Sequence, residues 1–226
     1  MCTRYTLTSP PEAVRATFGY LNEAVFPPRY NIAPTQPVAV VRTGVRGERE
    51  LALVRWGLIP PWVKDPREFS TLVNARAETA HVKPSFRGAM RHRRCLIPAD
   101  GFYEWTGRVG DKQPHLIRLR SGGLFAMAGL WEHWLGADGS ELETMAVLTT
   151  TSNTEMSAIH DRTPVLLSPD QYATWLDCSS GLEHDAVKLL KPLPPQSLDI
   201  IPVSREVNNP RNDFPEVQQR VPGLLL

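Results

Sequence analysis

The sequence predicts an α+β fold: a single compact domain on a mostly antiparallel sheet or barrel, with short helices at its periphery. Three observations carry this expectation. The 226 residues, 42% hydrophobic and 22% charged, suit one globular domain that buries a full core without disulfides or metals. The 21 prolines are scattered, which cuts the chain into short elements and argues against long helices. Runs of strand composition follow one another with helices inserted irregularly, unlike the alternation of a parallel doubly wound sheet. The domain is expected to span residues 1–226.

Taken in order, Ser9-Pro10-Pro11-Glu12 has the form of a capping box with proline in the first turn. It predicts a short helix to Phe18. PVAVVR (37–42) and LALVRWGL (51–58) read as strands, being short, β-branched or aromatic, and bounded by Gly or Pro. Residues 84–90 read as a helix. HLIRLR (115–120), LFAMAGLW (124–131) and TMAVLTT (144–150) are three further strands. Helices are expected over 153–159, from the capped start Ser168-Pro169-Asp170-Gln171 to Leu176, and over 183–190. No internal repeat, low-complexity tract or long linker divides the chain.

Composition removes whole classes of function. No stretch approaches the roughly 20 apolar residues of a membrane span, and MCTRYTLTSPPEAV lacks the apolar core of a secretory signal. Cys2, Cys95 and Cys178 are odd in number and far apart. They form neither a disulfide framework nor a CxxC zinc site, so the expectation is a cytoplasmic protein with free thiols and no metal or cofactor. The formal net charge of +1 hides a polarised chain. Residues 1–120 hold 19 basic against 10 acidic side chains, and residues 121–226 hold 6 against 14. Arg76, Lys83, Arg87, Arg91, Arg93 and Arg94 are opposed in their segment by Glu78 alone, and 20 of the 25 basic residues are Arg. Guanidinium groups suit bidentate contact with phosphate. A solvated basic surface explains the same charge. In WGLIPPW (56–62), Trp56 reads as core. Trp62 follows Pro60-Pro61 at a loop tip, where an indole can stack on an unpaired base or wedge where a strand meets a duplex.

Cys2 is the most informative residue. Methionine aminopeptidases remove Met1 when the second residue is small, so Cys2 is expected to become the mature N-terminus. Its α-amine (pKa about 7.7–8.0) then sits beside a thiol of about 8.5. Such an aminothiol condenses with an aldehyde to an imine, and the thiol closes a thiazolidine with the effective molarity of an intramolecular step. Three polar segments lie elsewhere. VNARAET (73–79) alternates Asn74, Arg76 and Glu78, which share one face if extended. GFYEW (101–105) sets Glu104 among aromatics, where a carboxylate is either paired or raised in pKa as a general acid/base requires. IHDRTP (159–164) places His160 and Arg162 at an element end. Each alone has an ordinary structural explanation.

Together with MCTRY, RYNIAPTQ (29–36), WGLIPPW, RCLIPADGFYEW (94–105), AVLTT, IHDRTPVLL and IPVSREVNN (201–209), these segments resemble the SOS-response-associated peptidase (SRAP) family of abasic-site-processing proteins. The resemblance spans nearly the whole chain in order. Thr3 departs from the Gly that many members have after the cysteine. The resemblance implies a compact α+β domain around a β-barrel-like core. It also implies capture of abasic sites in single-stranded DNA by a covalent thiazolidine bond between Cys2 and the ring-opened sugar. By residue matching, Cys2 is the nucleophile, and Asn74, Glu104 and His160 complete the site. Asn74 orients the aldehyde, Glu104 shuttles protons or stabilises the cationic imine, and His160 assists ring opening and proton movement. Arg4, Arg76 and Arg162 are expected to hold flanking phosphates. Trp62 is expected to act as a base-stacking wedge, with Asn31 and Pro34 lining the strand's path.

Three functions compete on the sequence. The first is covalent crosslinking to single-stranded DNA, including strand–duplex junctions, by a monomer that meets no membrane. The second is a cysteine peptidase using Cys2 with His160 or Glu104 as base, acting chiefly in autoprocessing of its own N-terminus. The third is a single-strand-binding module that makes no covalent bond. A lyase-type activity accompanies the first reading, and the nucleoid is its expected place of action. Cys95 and Cys178 are taken as bystanders.

Overall fold

The computed structural model describes residues 2–108, 110–179 and 183–222; Met1, whose removal is expected, lies outside them. The first elements are β1 (Tyr5–Leu7), α1 (Pro11–Phe18), β2 (Arg29–Ile32), β3 (Pro37–Thr43), β4 (Arg49–Trp56) and β5 (Asn74–Arg76). Then come α2 (Ala77–Ala80), α3 (Arg87–His92), β6 (Arg94–Ala99), β7 (Gly101–Arg108), β8 (Asp111–Leu119), β9 (Phe125–Leu135) and β10 (Glu141–Thr151). The remainder are β11 (Arg162–Pro164), β12 (Leu166–Leu167), α4 (Tyr172–Leu176), α5 (Glu183–Lys188) and β13 (Leu198–Pro202).

Five strands close on themselves. β4, β3, β6, β9 and β10 pair antiparallel in that order, and β10 returns to β4 in parallel, Thr144 opposite Arg55. A closed ring leaves no sheet edge to protect. Gly129 on β9 shows how tightly the barrel packs: a Cβ there would meet Cys95 Sγ and Ile97 Cδ1, each at 2.8 Å. Beyond the ring, β5 lies parallel to β10 (Asn74 opposite Val147), and β11 pairs antiparallel with its end (Arg162 opposite Thr151).

The second sheet is open and antiparallel, in the order β13-β8-β7-β1-β2. Its inner face lays Tyr5, Phe102 and Ile117 into the same core as barrel residues Val41, Leu96, Met127 and Val147. Each such buried side chain stabilises the fold by about 1.5–3 kcal/mol before entropy is charged against it. Its outer face packs Tyr103 and Leu116 under Val203, Val207 and Val217 of the C-terminal segment. The expected α+β class with a barrel core and peripheral short helices is therefore observed.

Local differences have local reasons. The hydroxyl of Ser9 does not cap α1; it donates to Asp100 Oδ1 at 2.6 Å, and Pro10 occupies the cap position. Asp100 also accepts from the backbone N–H of Thr8 and Ser9, tying the end of β1 to β7's entry. Residues 153–159 form only a short 3-10 turn, Met156–Ala158, because the Asn153 side chain accepts from Met156 N–H. The Ser168 capping box does form, but it starts a 3-10 turn that leads into α4. Strands β1, β2, β5, β6, β7, β11, β12 and β13 are additional to those read from sequence. β6 is buried at every position and contains Pro98, so it shows neither alternation nor a clean apolar run.

Candidate active site

The short β1 strand leads the chain's beginning into the seam between sheet and barrel. Cys2 is 0% exposed there, with its Sγ 3.8 Å from the Arg4 carbonyl. Asn74, the first residue of β5, donates from Nδ2 to the Cys2 carbonyl at 2.9 Å. Glu104, on the inner face of β7, is 3% exposed. Burial pushes the Cys2 thiol up to about 12, and the nearby Glu104 charge adds to the shift. The sheet, the barrel's flanking strand and the N-terminal segment thus bring Cys2, Asn74 and Glu104 together.

His160 is positioned by different elements. It follows the Met156–Ala158 turn and stands one residue, Asp161, before β11, which shares β10 with β5. Its Nδ1 lies 2.9 Å from Arg162 N–H and 2.8 Å from Asp161 Oδ1. The two contacts need opposite protonation at Nδ1. The backbone donor is fixed while the Asp161 side chain is 87% exposed, so Nδ1 accepts and the proton of the neutral ring resides on Nε2.

The arginines differ in what they can offer a phosphate. Arg76, at the end of β5, is exposed and has no ion-pair partner among the described residues. Arg4 is half-buried, donating to Asn31 Oδ1 at 2.7 Å and to the Val207 carbonyl at 2.8 Å. Its guanidinium lies 5.7 Å from the Trp105 ring. Arg162 is engaged bidentately by Glu78 at 2.6 and 2.9 Å and also donates to the Thr149 carbonyl. Glu78 does not share the strand face of Asn74 and Arg76, because β5 ends at Arg76 and Glu78 rides on α2. In the basic segment, Arg94 is 1% exposed and donates to the carbonyls of Trp175, Met90, Arg91 and Asp177. Arg93 pairs with Glu132 and Arg91 with Glu183. Half of that segment's charge is therefore engaged by the fold.

Asn31 is 0% exposed, and its amide donates to the carbonyls of Val207, Asn209 and Asn212. Being wholly buried, it does not line the path of a strand as expected and bears on the surface only through Arg4, which donates to its Oδ1. Pro34 sits half-buried in the turn before β3, next to Thr35, which is exposed at φ 73°. Trp62 is 58% exposed and meets Phe69 edge-on at 5.8 Å. Beneath it, Ile59, Val63 and Trp134 form a small apolar cluster in which Trp134 Nε1 donates to the Val63 carbonyl at 2.6 Å. Gly57 launches this loop at φ +128°, where a Cβ would strike Thr71 Cγ2 at 2.6 Å. Trp56, as expected, is core: it is wholly buried, donates to the Val73 carbonyl and packs edge-on against Tyr5.

A groove of about 380 Å³ on the outer side of the sheet is lined by Thr3, Arg4, Trp105, Gly110, Lys112 and Asn208, so that its Thr3 wall follows Cys2 in the chain. Among the described residues, no three His, Cys, Asp or Glu side chains converge as a metal site. A model of the SOS response associated peptidase family, SRAP, matches residues 1–210. The chain belongs to this family. Among its SRAP relatives, the abasic site processing protein YoqW of Bacillus subtilis is 40% identical over 222 residues, covering 96% of this chain and 98% of YoqW. The abasic site processing protein HMCES of Gallus gallus is 35% identical over 229 residues, covering 87% of this chain and 67% of HMCES. A crystal structure of a protein from Bacteroides thetaiotaomicron matches with a TM-score of 0.86 at 26% identity, covering 97% of this chain and 100% of that one.

Four groove residues of this SRAP chain, Trp105, Gly110, Lys112 and Asn208, escaped the sequence reading. Trp105 alternates with Glu104, so it faces Arg4 on the outer side while Glu104 faces the core, and its Nε1 donates to Asn208 Oδ1 at 2.6 Å. The period-2 pattern of GFYEW contains that signal. Asn208 carries none, since its position depends on contacts across 103 residues. Thr3, where many SRAP members have Gly, is exposed on the groove wall.

Proposed function

We propose that the protein captures abasic sites in single-stranded DNA by forming a thiazolidine between Cys2 and the aldehyde of the ring-opened sugar. The observation that carries this reading is the convergence of Cys2, Asn74 and buried Glu104; a groove bearing Arg4, Trp105 and Lys112 starts at Thr3, the next residue of the chain. The relatives' name, abasic site processing protein, supports the substrate class.

Removal of Met1 turns the Cys2 nitrogen into an amine. That amine adds to the aldehyde, giving a carbinolamine. Protonated Glu104 delivers a proton to the departing hydroxyl, which leaves as water, and an iminium remains. The carboxylate left on Glu104 then takes the thiol proton as Cys2 sulfur closes on the iminium carbon. One water is lost overall and Glu104 ends as it began. Asn74 holds the Cys2 backbone through its carbonyl, and the Nε2–H of His160 donates to the sugar oxygen as the ring opens. Arg4, Arg76 and Arg162 take the phosphates on either side, with Glu78 giving way to phosphate at Arg162. Trp105 and Trp62 stack on bases along the strand.

The test uses the mature protein and a single-stranded oligonucleotide with one abasic site, separated on a denaturing gel. A shifted band that disappears in Cys2→Ala is expected. Binding without such a band would instead favour a non-covalent module, and cleavage of unrelated peptides a peptidase.

A further inference from the structure

The basic segment carries two charges that neither the fold nor the site uses. Lys83 and Arg87 are exposed, and their side chains make no hydrogen bond or ion pair among the described residues. Their placement is regular. The Lys83 N–H donates to the Thr79 carbonyl and the Arg87 N–H to the Lys83 carbonyl, each at 2.9 Å. These are helical i,i+4 bonds, so Lys83 and Arg87 share one face with Cβ atoms about 5–6 Å apart. Arg91 is next in the row, on α3, and is paired with Glu183 at 3.4 Å. Buried Ala89 and Met90 pack α3 onto barrel strands β6 and β9, which leaves the row turned to solvent. Since α2 starts directly after Arg76, Lys83 continues from the end of β5 by about two turns of backbone.

We propose that Lys83 and Arg87 form a docking surface for the duplex arm of a DNA whose single-stranded part lies in the site. The inference rests on the single-stranded DNA reading above, though not on its covalent step. Charge points to phosphate. Between Arg76 and Arg94 the one acidic side chain is Glu78, which Arg162 engages. The want of a stacking surface points to a duplex. The residues exposed along 81–92 include no aromatic side chain, for Phe86 is buried. Elsewhere charge and aromatics come together: Arg4 stands beside Trp105, and the loop before β5 presents Trp62. A single strand gains from such platforms, on which its unstacked bases lie. In a duplex the bases stack on one another and the phosphates face outward, so charge alone holds it.

The dimensions agree. Phosphates of one duplex strand advance about 3.4 Å along its axis, so a helical step of about 6 Å from Lys83 to Arg87 spans about two of them. In the proposed complex Arg76 holds a phosphate beside the lesion, and the row takes up the backbone from there. Because the row lies to one side of Arg76, only an arm attached at one end of the single strand reaches it.

The experiment measures fluorescence anisotropy with undamaged DNA: a bare single strand, and the same strand carrying a duplex arm at its 5′ or its 3′ end. The wild type is expected to bind one of the two armed strands about tenfold more tightly than the bare strand. In the double variant Lys83→Gln/Arg87→Gln this gain should fall to about twofold, and the salt slope on that armed strand should drop by about 2. Affinity for the bare strand should stay within about twofold. An equal loss on all three DNAs puts the row on the single strand and overturns the inference. An undiminished gain in the variant, or an equal gain from both arms, overturns it too. A wild type that binds none of the DNAs overturns the underlying reading as well, whereas a wild type that binds but forms no crosslink overturns only the covalent step. If the double variant fails to fold, Arg87→Gln alone decides, with an expected slope change of about 1.

Discussion

In the proposed reaction the Cys2 thiol closes the ring last, and its burial keeps it protonated until the carbon it attacks has become electrophilic. With its pKa pushed up to about 12 by burial and by Glu104, only about one thiol in 10⁴ is ionised at pH 8, against about one in four for a free cysteine. Iodoacetamide labelling of Cys2 in the chain that retains Met1 is therefore expected to run at least about 10³-fold slower than labelling of free cysteine at pH 8. The rate should rise tenfold per pH unit toward pH 10. Glu104→Gln removes a negative neighbour, so the thiol pKa falls and labelling speeds up, although crosslinking slows. Peptide mass spectrometry reads both effects. Labelling of the wild type as fast as free cysteine contradicts this account of the site.

At the scale of elements, the site depends on a strap formed by the segment after β13. Asp213 accepts from the backbone N–H groups of Tyr30 and Asn31 and pairs with Arg29. Asn31 in turn holds the carbonyls of Val207, Asn209 and Asn212 and accepts from Arg4. Asp213→Ala is expected to lower stability by about 2 kcal/mol in urea unfolding, since two backbone donors lose their acceptor. It should also weaken single-strand binding several-fold through the loosened Arg4, and unchanged affinity would detach the strap from the site. None of this was legible locally. Asp213 meets Tyr30 across 183 residues, and no periodicity records such a contact. The strands 37–42, 51–58, 115–120, 124–131 and 144–150 were legible because each is a long β-branched or apolar run whose pairing agrees with its composition. β5 and β1 have three residues each, too few to display a period, and only their motif residues marked them.

Over the whole molecule, charge along the chain proved an imperfect guide to charge in space. The basic run from Arg76 to Arg94 is divided: Arg91, Arg93 and Arg94 brace the fold, while Arg76 remains at the end of β5 near the site. The acidic half of the chain returns Arg162 to the same region. If Arg4, Arg76, Arg162 and Lys112 neutralise phosphates on a single strand, the slope of log affinity against log salt should lie between about −2 and −3. A slope near zero, measured by fluorescence anisotropy from low to physiological salt, contradicts their role. The residues of the candidate site were visible in the sequence as separated motifs, but the meeting of Cys2 and Asn74 was not, because closure of the barrel and the sheet laid over it bring them together across 72 residues. The central claim is the ring that Cys2 closes, and the intact mass of the purified crosslink tests it most directly. The account predicts the summed masses of mature protein and abasic oligonucleotide less one water, unchanged after borohydride treatment. A sum with no water lost, or an adduct that gains two hydrogens on reduction as an open imine does, contradicts it.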